Sequence, residues 1–114
     1  MKDCIFCKIV KGNIPSAKVY EDDDMISFLD IAPNNKGHVL VVPKKHTENL
    51  LEMNDADLNA VFNAVGKVSR AISKSLKCDF NLIMNNGKDS GQIVFHSHVH
   101  IIPRYEGDVR LAAK

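Results

Sequence analysis

Residues 91–103 read GQIVFHSHVHIIP and place His96, His98 and His100, three of the five histidines in the chain, at every second position. Successive side chains of a β-strand alternate faces at a rise of about 3.3 Å per residue, so a strand here aims all three imidazoles the same way along a ladder roughly 13 Å long. Ile93, Phe95, Val99 and Ile101 then face a core, and the histidines share the other face with Val94 and Ile102. Ser97 is out of pattern, a small polar group among apolar neighbours on the core side, and reads as a packing variation. The ladder has three readings: a metal grip, a nucleophilic site, or ordinary solvated histidines. So dense a spacing on one face favours a site. One zinc ion held by all three needs each ring nitrogen at about 2.0–2.1 Å, which histidines leaving a straight strand roughly 13 Å apart do not offer. The middle histidine has a neighbour on each side within reach of one substrate group, which suits a nucleophile or base flanked by donors. His98 is therefore the candidate for the chemistry.

Upstream, FNLIM (80–84) reads as another strand, joined to the histidine stretch by NNGKDSGQ (85–92), a polar loop whose glycines can expose backbone N–H groups. Residues 55–77 carry Leu58, Val61, Phe62, Val65, Val68, Ile72 and Leu76 at steps of three and four, which predicts one long amphipathic helix. Asn54 is its expected N-cap, with Asp57 completing the cap and Met53 stapled to Leu58. Gly66 costs about 1 kcal/mol against alanine in mid-helix, which points to a close packing contact there. HVLVVP (38–43) is a β-branched central strand ended by Pro43, and residues 19–21 and 25–30 are short strands on either side of the turn EDDD. APNNKG (32–37) is a loop by composition. Ile5, Phe6, Ile9 and Val10 give residues 4–11 the spacing of a short helix, stopped by Gly12 and Pro15. The whole predicts a single α+β domain over residues 1–114, an antiparallel sheet with the long helix on one face.

The bulk numbers exclude several function classes. With 114 residues, 45% hydrophobic, and a net charge of +1, the chain has no global field to draw nucleic acid or an anionic membrane, and neither partner is expected. Any anion must be caught locally. Lys2, Asp3, Lys8 and Lys11 run through what would have to be an apolar signal region, and no apolar run approaches the roughly 18 residues of a membrane span. The expectation is a soluble, cytoplasmic protein. Three cysteines are too few for a disulfide framework, so Cys4 and Cys7 are thiols or metal ligands, and Cys78 is a helix-end residue of no special role. Lys44 and Lys45 read as surface charge, and His38 either steadies the active loop or caps a strand end.

GQIVFHSHVHIIPR resembles the signature of the histidine triad (HIT) superfamily, and FLDIAPNNKGHVLVVPKKH with CIFCKIVKGNIPSAKVYEDD resembles its Hint branch of nucleoside phosphoramidases, so that the likeness covers nearly the whole chain in order. The resemblance implies a HIT-like fold, a homodimer whose strands extend one sheet, and cleavage of purine nucleoside 5′-phosphoramidates or related adenylates at the α-phosphate. It makes His98 the nucleophile that takes up the nucleotidyl group and His100 the neighbour that contacts the phosphate. It assigns Asp30 to the ribose hydroxyls and Asn85 to the ribose and phosphate. Ile5, Phe6, Ile9, Phe28 and Ile31 form the base side of the pocket, and the backbone at Gly91, Gln92 and Ile93 holds the phosphoryl oxygens. One position departs from the pattern: many relatives carry serine or threonine where Ile93 stands, and only its backbone N–H can help.

CIFC has the C-x-x-C spacing of two zinc ligands. Similarity to zinc-containing bacterial members of the superfamily implies that His46 and His96 complete a closed Cys₂His₂ structural site with Cys4 and Cys7. One end of the ladder then holds zinc while His98 and His100 do chemistry. Two further readings compete with the phosphoramidase: a dinucleoside polyphosphate hydrolase, and a non-enzymatic nucleotide-binding adaptor, for which Ile93 is the only hint in the sequence.

Overall fold

Two apolar periods run through the sequence, one of two residues and one near 3.6, and each forms the element it specifies. The computed structural model describes residues 3–108 and runs α1 (Ile5–Val10), β1 (Lys18–Glu21), β2 (Met25–Leu29), β3 (Val39–Pro43), α2 (Asp55–Leu76), β4 (Asp79–Ile83) and β5 (Val99–Arg104), with two single 3₁₀ turns between. The expected domain limits at residues 1 and 114 lie outside the described residues. The strands form one antiparallel sheet in the order β1-β2-β3-β5-β4.

Alternation along β2 and β3 builds a core on each face of that sheet. Met25, Val39 and Val41 meet Val61, Ala64, Val65 and Val68 of α2, together with Val99 and Ile101 of β5. Each valine so buried contributes about 2 kcal/mol by its removal from water. On the opposite face Ile26, Phe28, Leu40 and Val42 pack under Phe6 of α1, with Ile9 and Val94 at the margin. The long helix therefore covers one face, and α1 with the histidine stretch covers the other.

The start of α2 is as its sequence predicts: Asn54 Oδ1 accepts from the Asp57 N–H at 2.8 Å, and Asp57 Oδ2 accepts from the Asn54 N–H at 3.2 Å. Gly66 does not mark a close contact, since a Cβ there would meet only the guanidinium of Arg70, at 3.3 Å, on the same helix. Gly37 is the glycine the fold requires: at φ +85° a Cβ would lie 2.6 Å from Leu76 and 3.2 Å from Pro103. It delivers the chain into His38 and β3 beneath the end of α2.

The histidine stretch departs from the straight strand expected of it. β5 begins only at Val99, and residues 93–98 bend away from the sheet. Its ladder with β3 runs from Val39↔Ile101 to Val41↔Val99, and that register would continue through Val42 with His98 to a pairing of Pro43 with Ser97. It does not form. The Ser97 N–H donates instead to the Thr47 carbonyl at 2.8 Å, and the Pro43 carbonyl takes a hydrogen bond from the His96 ring at 2.7 Å. Ile93, at 87% exposure, and Phe95, at 42%, consequently leave the core that alternation assigned them.

Candidate active site

The bend sends the three histidines to two places. His96 is fully buried beside Cys4, Cys7 and His46, while His98 and His100 line a cavity of about 440 Å³. Phe6 stands between, edge-on to the His96 ring at 5.8 Å and to the His98 ring at 5.1 Å. The His98 and His100 rings are 5.0 Å apart.

Hydrogen bonds fix which nitrogen of each ring carries a proton. Nδ1 of His98 lies 2.7 Å from the His96 carbonyl, which can only accept, so Nδ1 donates and Nε2 keeps its lone pair. The backbone N–H of Asn34 donates to Nδ1 of His38 at 2.9 Å, which puts the His38 proton on Nε2. That proton meets Nδ1 of His100 at 2.9 Å, leaving Nε2 of His100 as an N–H. One ring is thus set to attack and its neighbour to donate. Burial pushes the His98 pKa below the ordinary histidine value, against an opposing pull from the His96 carbonyl and Asp30. Burial, with His98 and His38 alongside, pushes His100 down to about 4. His38 is lowered by burial despite Asp30, whose Oδ2 is 3.6 Å from Nε2. All three rings are neutral near pH 7.

The rest of the cavity follows the sequence closely. Ile5, Phe6, Ile9 and Phe28 line its apolar side, with Leu40 beneath. Asp30, just past β2, lines it too, and its Oδ1 accepts from the Ala32 N–H at 3.0 Å, so it forms the turn and faces the cavity at once. Asn85, Gly91, Ile93 and Ile31 line it as well, Ile31 being 96% exposed, and the segment Ile14 to Ser16 with Val94 adds walls that the sequence did not announce. Gln92 is not part of the lining. Its buried side chain holds the loop shut by accepting from the Gly87 N–H at 2.8 Å and donating to the carbonyls of Glu48 at 2.6 Å and Val94 at 3.0 Å.

Three residues have roles that sequence reasoning missed or left open. His38 orients His100, and strand parity holds the clue, because residues 38, 40 and 42 share the face on which Leu40 pairs with His100. Gln92 braces the loop, and nothing in its local pattern announces that. Ser97 is no packing variation: its Oγ is 2.7 Å from Thr47 Oγ1 and donates to the Thr47 carbonyl at 3.0 Å, clipping the histidine stretch to the segment that carries His46.

At the other end of the stretch the expected ligand atoms converge. Nδ1 of His96 is 3.2 Å from Cys4 Sγ, 3.5 Å from Cys7 Sγ and 3.1 Å from Nδ1 of His46, and Cys7 Sγ is 3.3 Å from Nδ1 of His46. All four ligand atoms lie within 4.8 Å of one another. A tetrahedron of bonds of about 2.1–2.3 Å has edges of about 3.4–3.8 Å, a little longer than these spacings. Nε2 of His96 donates to the Pro43 carbonyl, so its Nδ1 lone pair points into the cluster, which is how an outer hydrogen bond prepares a metal ligand. Two sulfurs and two imidazole nitrogens fit zinc. Lys44 and Lys45, nearby in sequence, are engaged elsewhere, with Glu21 at 2.8 Å and Asp57 at 3.1 Å.

Residues 11–107 match the model of the HIT domain. The chain belongs to the HIT domain family. It is 52% identical over 109 residues to Protein hit of Bacillus subtilis (strain 168), covering 94% of this chain and 75% of that one. It is 46% identical over 101 residues to adenosine 5′-monophosphoramidase hnt1 of Schizosaccharomyces pombe (strain 972), covering 89% and 74% of the two chains. Among solved HIT structures, a zinc-bound histidine triad family protein from Mycobacterium smegmatis superposes with a TM-score of 0.89 at 38% identity, covering 94% of this chain and 78% of that one. No helix among the described residues is long and apolar enough to cross a membrane.

Proposed function

We propose that this HIT protein is a nucleotide hydrolase that cleaves purine nucleoside 5′-phosphoramidates or related adenylates through a nucleotidyl intermediate on His98. The single observation that carries this reading is the His98 tautomer: Nδ1 is committed to the His96 carbonyl at 2.7 Å, and the bare Nε2 belongs to a ring lining the cavity. Similarity to a relative named as an adenosine 5′-monophosphoramidase supports the substrate class.

The residues divide the work. Ile5, Phe6, Ile9 and Phe28 hold the purine, and Asp30 accepts from the ribose hydroxyls with the oxygen its turn leaves free. The Nε2–H of His100 and the backbone N–H of Ile93 donate to the phosphoryl oxygens, the N–H groups of Gly91 and Gln92 being taken up by the carbonyls of Lys88 and Gly87 at 3.1 and 3.2 Å. His98 Nε2 forms a bond to phosphorus as the P–N bond breaks and the amine departs with a proton taken from solvent. Water then displaces His98, releasing the nucleoside monophosphate and returning the proton. Zinc, held by Cys4, Cys7, His46 and His96, supplies a structural cross-link when bound and no chemistry at the phosphate.

Among the described residues the cavity lining contains no lysine or arginine, and this favours the phosphoramidase over the dinucleoside polyphosphate hydrolase, whose leaving group is itself a polyanion. Intact-mass measurement after mixing with an adenosine phosphoramidate tests the reading: an adduct of one AMP on His98 is expected, and bound AMP without any adduct or turnover would leave only the adaptor.

A further inference from the structure

A nucleotide fills the cavity described above, but the group expelled from phosphorus must lie outside it. On the far side of Ile93 a second, shallower groove of about 480 Å³ shares three walls with that cavity, Ile5, Ile93 and Val94. Its floor continues over Phe95 and over Cys4 and His46 of the Cys/His cluster, and its rim carries Asp3 and Glu48. Three of its apolar walls stay open to solvent, Ile93 at 87% exposure, Phe95 at 42% and Ile5 at 41%. The bend at residues 93–98 is what turns Ile93 and Phe95 outward, and Gln92 and Ser97 hold that bend, so the groove is a built part of the loop that carries His98. Among the described residues the groove has no lysine or arginine in its walls, and it has two carboxylates at its edge.

Resting on the phosphoramidase reading, we propose that this groove is the leaving-group site, that it takes an amine with an apolar body, and that Ile93 and Phe95 determine that preference. The remaining substituent on the α-phosphate passes over Ile93 from one cavity to the other. An apolar body covers the exposed side chains of Ile93 and Phe95 and is bound in the transition state, whereas ammonia leaves them wet. An anionic body meets Asp3 and Glu48 with no lysine or arginine among the described residues of the walls to offset them.

Three adenosine 5′-phosphoramidates test this, made from ammonia, from a phenylalkylamine and from glutamate. For the wild-type protein kcat/KM is expected to be at least about tenfold higher for the phenylalkylamine than for ammonia, the discrimination that a few buried methylenes supply, and lowest for glutamate. Phe95→Ala removes a wall of the groove without touching the nucleotide cavity, so it should bring the phenylalkylamine to within about threefold of ammonia while AMP affinity and the rate on the ammonia compound hold. Equal rates across the wild-type series, or a preference that survives in both Phe95→Ala and Ile93→Ser, would overturn the inference alone. Absence of any AMP-releasing turnover would overturn the phosphoramidase reading and this inference with it.

Discussion

Nε2 of His38 lies 2.9 Å from Nδ1 of His100, and because Asn34 occupies the other nitrogen of His38, the proton between the two rings belongs to His38. The donor face of His100 toward the cavity is therefore set from behind, by a residue that lines no part of the cavity. His38→Asn removes the ring that enforces this tautomer, and turnover should fall roughly 10- to 100-fold, the usual cost of losing an orienting partner, with AMP affinity changed much less. Titration of kcat separates orientation from damage: a mispositioned His100 shifts the profile, whereas a merely unstable variant keeps it.

His98→Ala should abolish both the AMP adduct and turnover while the protein still folds and binds AMP, since only the attacking nitrogen is lost. Retention of a tenth of the wild-type rate would rule out His98 as the nucleophile.

Acidity should act in one direction. His98 attacks as the neutral ring, and burial lowers its pKa, so kcat/KM should hold through the ordinary histidine range near 6.5 and fall only at more acid pH. Stability follows the same sign. Between 6.5 and about 4 the unfolded chain protonates His100 while the folded protein keeps it neutral, so stability is present above that window and is lost as pH falls through it. His38, also lowered, adds to the loss. A melting temperature that rose between pH 6.5 and pH 5 would contradict this.

Purified without chelator, the protein should carry close to one zinc per chain, and Cys4→Ser or Cys7→Ser should lower zinc content and melting temperature together. Metal that binds only the folded arrangement appears as folding free energy. Elemental analysis should find His98→Ala unchanged in zinc, and its loss there would overturn the division of the triad between metal and chemistry.

β4 is an edge strand of the sheet and leaves Leu82 at 46% and Ile83 at 38% exposure, an arrangement that invites a second copy to extend the sheet. Light scattering at micromolar concentration should give the mass of a homodimer, and Ile83→Lys should shift it toward the monomer. A wild-type monomer would sink the expectation.

Periodicity made most of the fold legible. Steps of three and four placed α2 and its cap, alternation placed β2, and a continuous β-branched run placed β3 as a central strand; that the sheet carries a core on each face is what the structure adds. Residues 93–98 defeated it because apolar alternation there is real, yet the backbone is held by side chains from elsewhere: the His96 ring on Pro43, Ser97 on Thr47, and Gln92 on Glu48. No local pattern encodes such bonds. Spacing and resemblance named the four clustered ligands and most of the cavity residues, but Gln92 lies outside the lining, and Ile14, Pro15 and Ser16, which no motif marks, belong to it. The role of His38 was not legible, because its task depends on a ring 62 positions away in the chain.

Helix α1 spans six residues, too few to persist in water by hydrogen bonding alone. With its N-cap Cys4 it nevertheless supplies both the sulfurs of the Cys/His cluster and part of the apolar wall proposed for a purine. Its order is borrowed. An engineer who wished to remove the cysteines could not treat them as a detachable clasp, because the shape of the recognition surface is inherited from the same knot. A metal-free version would need new packing beneath Phe6 before it could keep any taste for a base.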